Sequence, residues 1–70
     1  MKANKLEIMK LLVNKNWNIK QLAKAVPMDY IYLVNILNGK SNPSELMAIK
    51  ISNALGVDIE SIFEFDLKEA

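Results

Sequence analysis

The fold is decided by residues 18–38, which read NIKQLAKAVPMDYIYLVNILN. Asn18, with Gln21 three positions later, is typical of a capping box, in which side chains and backbone amides at a helix start bond reciprocally. Pro27 disfavours a helical conformation at the residue before it, so this helix is expected to end there. Asp29 is a suitable N-cap for a further helix that fills the rest of the stretch. The stretch therefore predicts two short helices joined by a tight turn.

Helical spacing also dominates the sequence on both sides of this stretch. A first helix is expected over residues 4–15, with an apolar stripe formed by Leu6, Met9, Leu12 and Val13. Ser44 and Gly56 are suited to begin and end a fourth helix. A short final helix is expected from residue 59 to about Glu64, followed by an acidic tail at residues 66–70 that frays. These elements predict an all-α domain, a compact bundle of five helices.

Composition limits the classes of function. The chain has 70 residues, is 51% hydrophobic and contains neither Cys nor His. Seventy residues form one domain, and so small a domain needs a dense apolar core or a partner. Without Cys and His, disulfides and the usual zinc sites are excluded, and the commonest general base is missing. No apolar run approaches the ~18 residues of a membrane span. We therefore expect a single cytoplasmic domain over residues 1–70, with no membrane contact, catalytic residue, metal or cofactor.

Positive charge is concentrated at the start of the chain. Residues 1–24 carry six Lys against one Glu, a net charge of +5, whereas residues 25–70 carry three Lys against seven acidic residues, a net charge of −4. Such a concentration of positive charge can attract phosphates. It is equally typical of a lysine-rich helix that only faces solvent. All nine basic residues are Lys. The bidentate contact between Arg and guanine, the commonest specific base contact, is therefore excluded.

Three separated motifs carry a family resemblance. They are NIKQLA at residues 18–23, NGKSNPS at residues 38–44 and ALGVDI at residues 54–59. In this order they resemble the start of the second helix, the link after the third helix and the junction before the fifth helix of Cro and lambda-repressor type (XRE) regulators. The resemblance covers about residues 5–65. It implies a compact five-helix repressor-like DNA-binding domain, with a helix-turn-helix at helices two and three and helix three in the major groove.

The resemblance also implies a ligand and a set of contact residues. The ligand is operator DNA, double-stranded and bound by a homodimer. The positions matching the family's core are Leu22, Ala23, Val26, Leu33 and Ile36. The positions expected to contact base edges are Tyr30, Ile31, Val34, Asn35 and Asn38. The positions expected to contact phosphates are Asn18, Lys20, Tyr32, Lys40, Ser41 and Asn42.

The sequence departs from the family's pattern in the turn and in the core. Pro27 stands where the family usually has a Gly with positive φ, which proline cannot adopt. We therefore expect a locally rebuilt turn. Leu12 and Leu37 stand where many members pair an Arg with a Glu. Because both partners of a buried ion pair are replaced by apolar groups, we expect a repacked core without loss of stability.

Helix three is unusually apolar, with seven apolar or aromatic side chains among residues 30–38. Three interpretations fit its outward face. In the first, Ile31 and Val34 contact thymine methyl groups while Asn35 reads adenine, which favours an A·T-rich operator. In the second, the face binds another protein, and the chain is an antirepressor or inhibitor. In the third, the altered turn buries these side chains and they have no function. We predict the first, a sequence-specific transcriptional regulator of the phage or mobile-element type, and no enzyme.

Overall fold

The computed structural model describes residues 1–65. The helices in this range are α1 (Lys5–Lys15), α2 (Ile19–Ala25), α3 (Tyr30–Leu37), α4 (Glu45–Leu55) and α5 (Ile59–Ile62), and the strands are β1 (Lys2–Ala3) and β2 (Phe63–Glu64). Five helices in this part of the chain confirm the all-α class. None of these helices has the length and apolar character to cross a membrane. The expected fraying at residues 66–70 falls outside the described residues.

The helix ends follow the side chains that the sequence places there. Asn18 Oδ1 accepts a hydrogen bond from the Gln21 amide at 2.8 Å, and Gln21 Oε1 accepts one from the Asn18 amide at 2.7 Å. This reciprocal pair confirms the capping box. Asp29 and Ser44 each accept a bond from the amide three residues ahead, at 3.0 and 3.1 Å. Gly56 ends α4 with a φ of 73°, in the left-handed region that favours glycine.

One apolar core joins all five helices and β2 in the described chain. α2 packs against both α3 and α4, and α1 packs against α5. The two leucines that replace the family's ion pair, Leu12 and Leu37, both lie in this core, as expected. The buried set contains every core position expected for α2 and α3: Ile8, Leu12, Leu22, Ala23, Val26, Leu33, Ile36, Leu37, Ala48, Ile51, Leu55, Ile62 and Phe63.

The apolar stripe expected on α1 is partly wrong. Ile8 and Leu12, four positions apart, are buried, whereas Leu6 is 66% exposed and Val13 is 71% exposed. Each residue of an α-helix turns by about 100° around the axis. A helix that directs Ile8 and Leu12 towards the core therefore directs Leu6 and Val13 towards solvent. The sequence contains two neighbouring apolar stripes on α1, and tertiary packing selects one of them.

The final helix is shorter than expected. The sequence predicted helix to about Glu64, but α5 ends at Ile62, and Phe63 has extended backbone angles. β2 pairs with β1 in antiparallel fashion, with Lys2 opposite Glu64. The Asn4 amide also donates to the Ile62 carbonyl oxygen at 2.8 Å. Because aromatic residues favour strands and the N-terminal segment supplies a partner, this pairing replaces the last helical turn.

We expect Leu12→Ala to lower the free energy of unfolding by about 2–5 kcal/mol, because it leaves a cavity in the core. Leu6→Ala is the matched control on the same helix, and its exposed side chain should cost less than about 0.5 kcal/mol. Urea denaturation followed by circular dichroism measures both values. Equal losses in the two variants would show that the orientation of α1 is wrong.

Candidate nucleic-acid interface

The turn between α2 and α3 is built around Pro27. Val26 keeps helical angles, with φ −65° and ψ −41°, although proline disfavours them at the preceding residue. The Val26 amide donates to the Leu22 carbonyl oxygen at 3.0 Å, and the Met28 amide donates to that of Ala23 at 2.7 Å. Pro27 has no backbone N–H and so needs no acceptor. The two bonds satisfy the amides of the residues on either side of it. No residue of this described turn has positive φ, so the turn does without the conformation of the family's glycine.

α3 has one side in the core and one side open to solvent. Its buried side chains are Leu33, Ile36 and Leu37. Ile31 is 62% exposed. Asn35 and Asn38 follow Ile31 at four and seven positions, so the three lie along one line of the helix. Tyr30 is 39% exposed, whereas Asn35 and the neighbouring Val34 are half-buried. Of the five residues predicted to contact bases, Tyr30, Ile31 and Asn38 are exposed, and the other two are partly accessible.

Two of the residues predicted to contact phosphates also have structural duties. Tyr32 is half-buried, and its side chain packs against the core. Asn18 is exposed, but its side-chain oxygen already accepts the capping bond from Gln21. Asn18 therefore keeps its side-chain N–H groups as the donors for a phosphate. Tyr32 lies at the flank of α3 and not on its outward line.

Lys20 and Tyr30 meet at the start of α3. The Lys20 Nζ lies 5.6 Å from the centroid of the Tyr30 ring, a cation–π distance. Both residues border a groove between α1, α2 and α3, lined by Met9, Trp17, Asn18, Ile19, Lys20 and Tyr30. Trp17 packs against the core, and Lys15 Nζ lies 5.3 Å from its ring centroid. The structure thus brings a predicted phosphate contact next to a predicted base contact.

The loop after α3 is held against the end of that helix. The amides of Lys40 and Ser41 both donate to the Asn35 carbonyl oxygen, at 2.8 and 3.2 Å. Gly39 makes this reversal possible with a φ of 78°, which side-chain-bearing residues rarely adopt. Lys40 and Asn42 are exposed, and Ser41 is half-buried. The three predicted phosphate contacts of the loop therefore lie beside the C-terminal end of α3.

Lys5 is not among the contact residues predicted from the sequence, but the structure places it beside α3. Its Nζ donates to Asn38 Oδ1 at 2.9 Å, joining the first turn of α1 to the C-cap of α3. The two residues are 33 positions apart. No local pattern relates side chains at that separation, so only the tertiary structure reveals the pair.

The remaining charged side chains of the described region lie at the surface. Lys10 and Glu7 form an exposed pair at 3.6 Å on α1, and exposed pairs contribute little stability. Within residues 1–65, no three Cys, His, Asp or Glu side chains are grouped as metal ligands. The face around α3 offers a ligand ammonium, amide and hydroxyl groups around an apolar centre. It also carries the exposed carboxylate of Asp29, which accepts the capping bond from the Tyr32 amide.

Two adjoining helices, of which the second exposes one side beside basic and amide groups, are the arrangement of a DNA-binding domain. A family model described as helix-turn-helix matches residues 8–62 of the chain. The chain belongs to this helix-turn-helix family, of the Cro and lambda-repressor (XRE) type. The family consists of DNA-binding regulatory domains and not of enzymes, and the chain is a DNA-binding transcription regulator of this type. No curated protein matches the chain.

We expect Pro27→Gly to lower the free energy of unfolding by about 0.4–1 kcal/mol, because glycine enlarges the unfolded ensemble and this turn needs no positive φ. Urea denaturation measures the change. Gly39→Ala is the contrasting variant, and it should destabilise because alanine is strained at positive φ. A more stable Pro27→Gly protein would contradict the turn geometry described above.

Proposed function

We propose that the chain is a sequence-specific, repressor-like transcriptional regulator of the phage or mobile-element type, with α3 in the major groove of an A·T-rich operator. The observation that carries this proposal is the open side of α3, where Ile31 is 62% exposed while the opposite side of the helix is fixed in the core. Ile31 and Val34 are suited to thymine methyl groups, and Asn35 to the paired donor and acceptor of adenine. Tyr30 reads the base edge at the start of the helix.

Phosphate contacts flank this helix at both ends. Lys20 and Asn18 lie near the start of α3, next to Tyr30. Lys40, Ser41 and Asn42 lie in the loop at its end, and Tyr32 lies on its flank. Because the groups are lysines, amides and hydroxyls, they position the domain on the backbone without reading sequence. Binding is then strongly dependent on salt, since each neutralised phosphate releases counterions.

We propose that the regulator binds DNA as a homodimer in the cytoplasm. Two-fold symmetry predicts an inverted repeat with half-sites about one helical turn, roughly 34–36 Å, apart. Near the end of the described chain, Phe63 is buried and Phe65 is 39% exposed. Of these two side chains, only Phe65 is accessible for a dimer contact. Other exposed apolar side chains outside α3 in the described chain are Leu6, Val13, Leu46 and Ile49.

We expect the protein to bind an A·T-rich duplex measurably at ~50 mM salt. The double variant Lys20→Met/Lys40→Met should reduce the slope of log affinity against log salt by about 1.8, which corresponds to two phosphates. Fluorescence anisotropy over a salt series measures this slope. The control, Lys10→Met/Lys50→Met, removes the same charge from exposed positions on α1 and α4. No binding by the wild-type protein, or equal slopes in both double variants, would contradict the proposal.

A second candidate function uses the same surface. Ile31 and Tyr30 are exposed, and Tyr30 also lines the groove that contains Met9 and Trp17. Contiguous apolar surface with exposed aromatic residues is typical of protein-binding sites. On this hypothesis the helix-turn-helix scaffold binds another protein through α3 and acts as an antirepressor or inhibitor.

Ile31→Asp and Tyr30→Ala separate the two functions. In a DNA-binding protein, Ile31→Asp should abolish duplex binding, because the new carboxylate faces the negative potential of the groove. Tyr30→Ala should weaken binding. In a protein-binding regulator, the wild-type chain binds no duplex at low salt, and both variants lose the partner in a pull-down. Circular dichroism must show an intact fold in both. A partner retained by both variants would exclude α3 as its docking site.

A further inference from the structure

The pair formed by Lys5 and Asn38 lies at the C-terminal end of α3, on the same side as the open line of that helix. The Lys5 Nζ donates to Asn38 Oδ1 at 2.9 Å, and both residues are exposed. Asn38 is the C-cap of α3, so the bond ties the start of α1 to the end of the helix that we place in the groove.

The start of α1 is well anchored, which fixes the position of Lys5. The Asn4 amide donates to the Ile62 carbonyl oxygen at 2.8 Å, and Asn4 Oδ1 accepts the Glu7 amide at 3.2 Å as the N-cap of α1. β1, immediately before, pairs with β2 and packs against α3. Lys5 is therefore the first residue of a helix whose start is held by the backbone pairing with β2 and by the side-chain N-cap of Asn4.

The hydrogen-bonding inventory of the pair suits an anion. With its Oδ1 engaged by Lys5, Asn38 presents the two N–H donors of its Nδ2. The Lys5 ammonium has three donors, of which Asn38 takes one. The pair therefore presents only hydrogen-bond donors, and one of its two members, Lys5, is positively charged. A phosphate accepts such donors, whereas the edge of adenine needs a donor and an acceptor together.

The dipole of α3 gives Lys5 a second role. The last turn of α3, which the structure describes in full, contains no basic residue. The C-terminus of a helix carries about half a negative charge and repels an approaching phosphate. The ammonium group of Lys5 offsets this repulsion at the C-cap itself.

We propose that Lys5 and Asn38 together bind one DNA backbone phosphate at the C-terminal end of α3. This inference rests on the proposed function, and it moves Asn38 from the base contacts to the phosphate contacts. Recognition helices of this type contact base edges with their N-terminal residues, so a C-cap residue is better placed for the backbone. The interface then extends beyond the helix-turn-helix to α1.

The test uses the full chain and a fluorescent mixed-sequence duplex of about two helical turns, titrated over a salt series. Lys5→Met should lower the slope of log affinity against log salt by about 0.9 and weaken binding at low salt on the order of tenfold. Lys5→Arg keeps the charge and should keep the slope. Lys50→Met, which removes an exposed lysine of α4, should leave the slope unchanged.

The coupling within the pair is tested by Asn38→Ala in the wild-type and Lys5→Met backgrounds. Asn38→Ala should weaken binding less in the Lys5→Met background, because the two residues hold one phosphate. Asn38→Asp should weaken binding more than Asn38→Ala, since its carboxylate repels the phosphate. Circular dichroism establishes that each variant is folded.

The outcomes separate this inference from the proposed function. If the wild-type chain binds no duplex, the proposed function itself fails. If the wild-type chain binds but Lys5→Met and Lys50→Met have equal slopes, the phosphate site is overturned and the proposed function stands. If Asn38→Ala weakens binding to one operator sequence and leaves mixed-sequence binding unchanged, Asn38 reads a base and the inference is again overturned.

Discussion

The burial of one side of α3 is the constraint on which the rest of this structure depends. At eight residues, α3 is too short to be stable alone in water, so its helical form depends on packing. Leu33, Ile36 and Leu37 supply that packing from one side of the helix. Once they are buried, the rotation of α3 is fixed, and Ile31 and Asn35 lie on its outward side. The same packing that stabilises the fold therefore decides which side chains a ligand meets.

Features set by neighbouring residues could be predicted from the sequence, and features set by distant residues could not. The caps at Asn18 and Ser44 form bonds with amides three residues ahead, so a short motif contains all their atoms. By contrast, the choice between two apolar stripes on α1 depends on what packs against it. The pairing of β1 with β2 and the bond from Lys5 to Asn38 each join residues that are far apart in the sequence. Most of the residues proposed for the interface lie within one continuous motif, whereas Lys5 belongs to another helix.

The absence of arginine from the sequence shapes how this interface can work. Lysine is a compact, flexible point charge, whereas arginine presents a planar fork that matches guanine or phosphate in two places. In the proposed function, specific readout would rest on shape, on methyl contacts and on amides such as that of Asn35. Lysines contribute affinity along the backbone, in a form that salt weakens. In this structure two of the lysines contact neighbouring side chains, Lys5 that of Asn38 and Lys20 the ring of Tyr30.

The distribution of charge around α3 favours DNA over a protein as its ligand. The apolar centre at Ile31 has lysines at both ends, with Lys20 beside the start of the helix and Lys5 and Lys40 beside its end. The acidic residue at the helix start, Asp29, is engaged as the N-cap by the Tyr32 amide. A major groove has the complementary pattern, since its floor carries thymine methyl groups and its two walls are lines of phosphates. A protein partner would need an apolar centre with acidic groups at both ends, at the spacing of these lysines. A·T-rich DNA provides that arrangement. Taken alone, the apolar side chains of α3 suggest a protein ligand, but together with the lysines at both ends of the helix they fit a major groove.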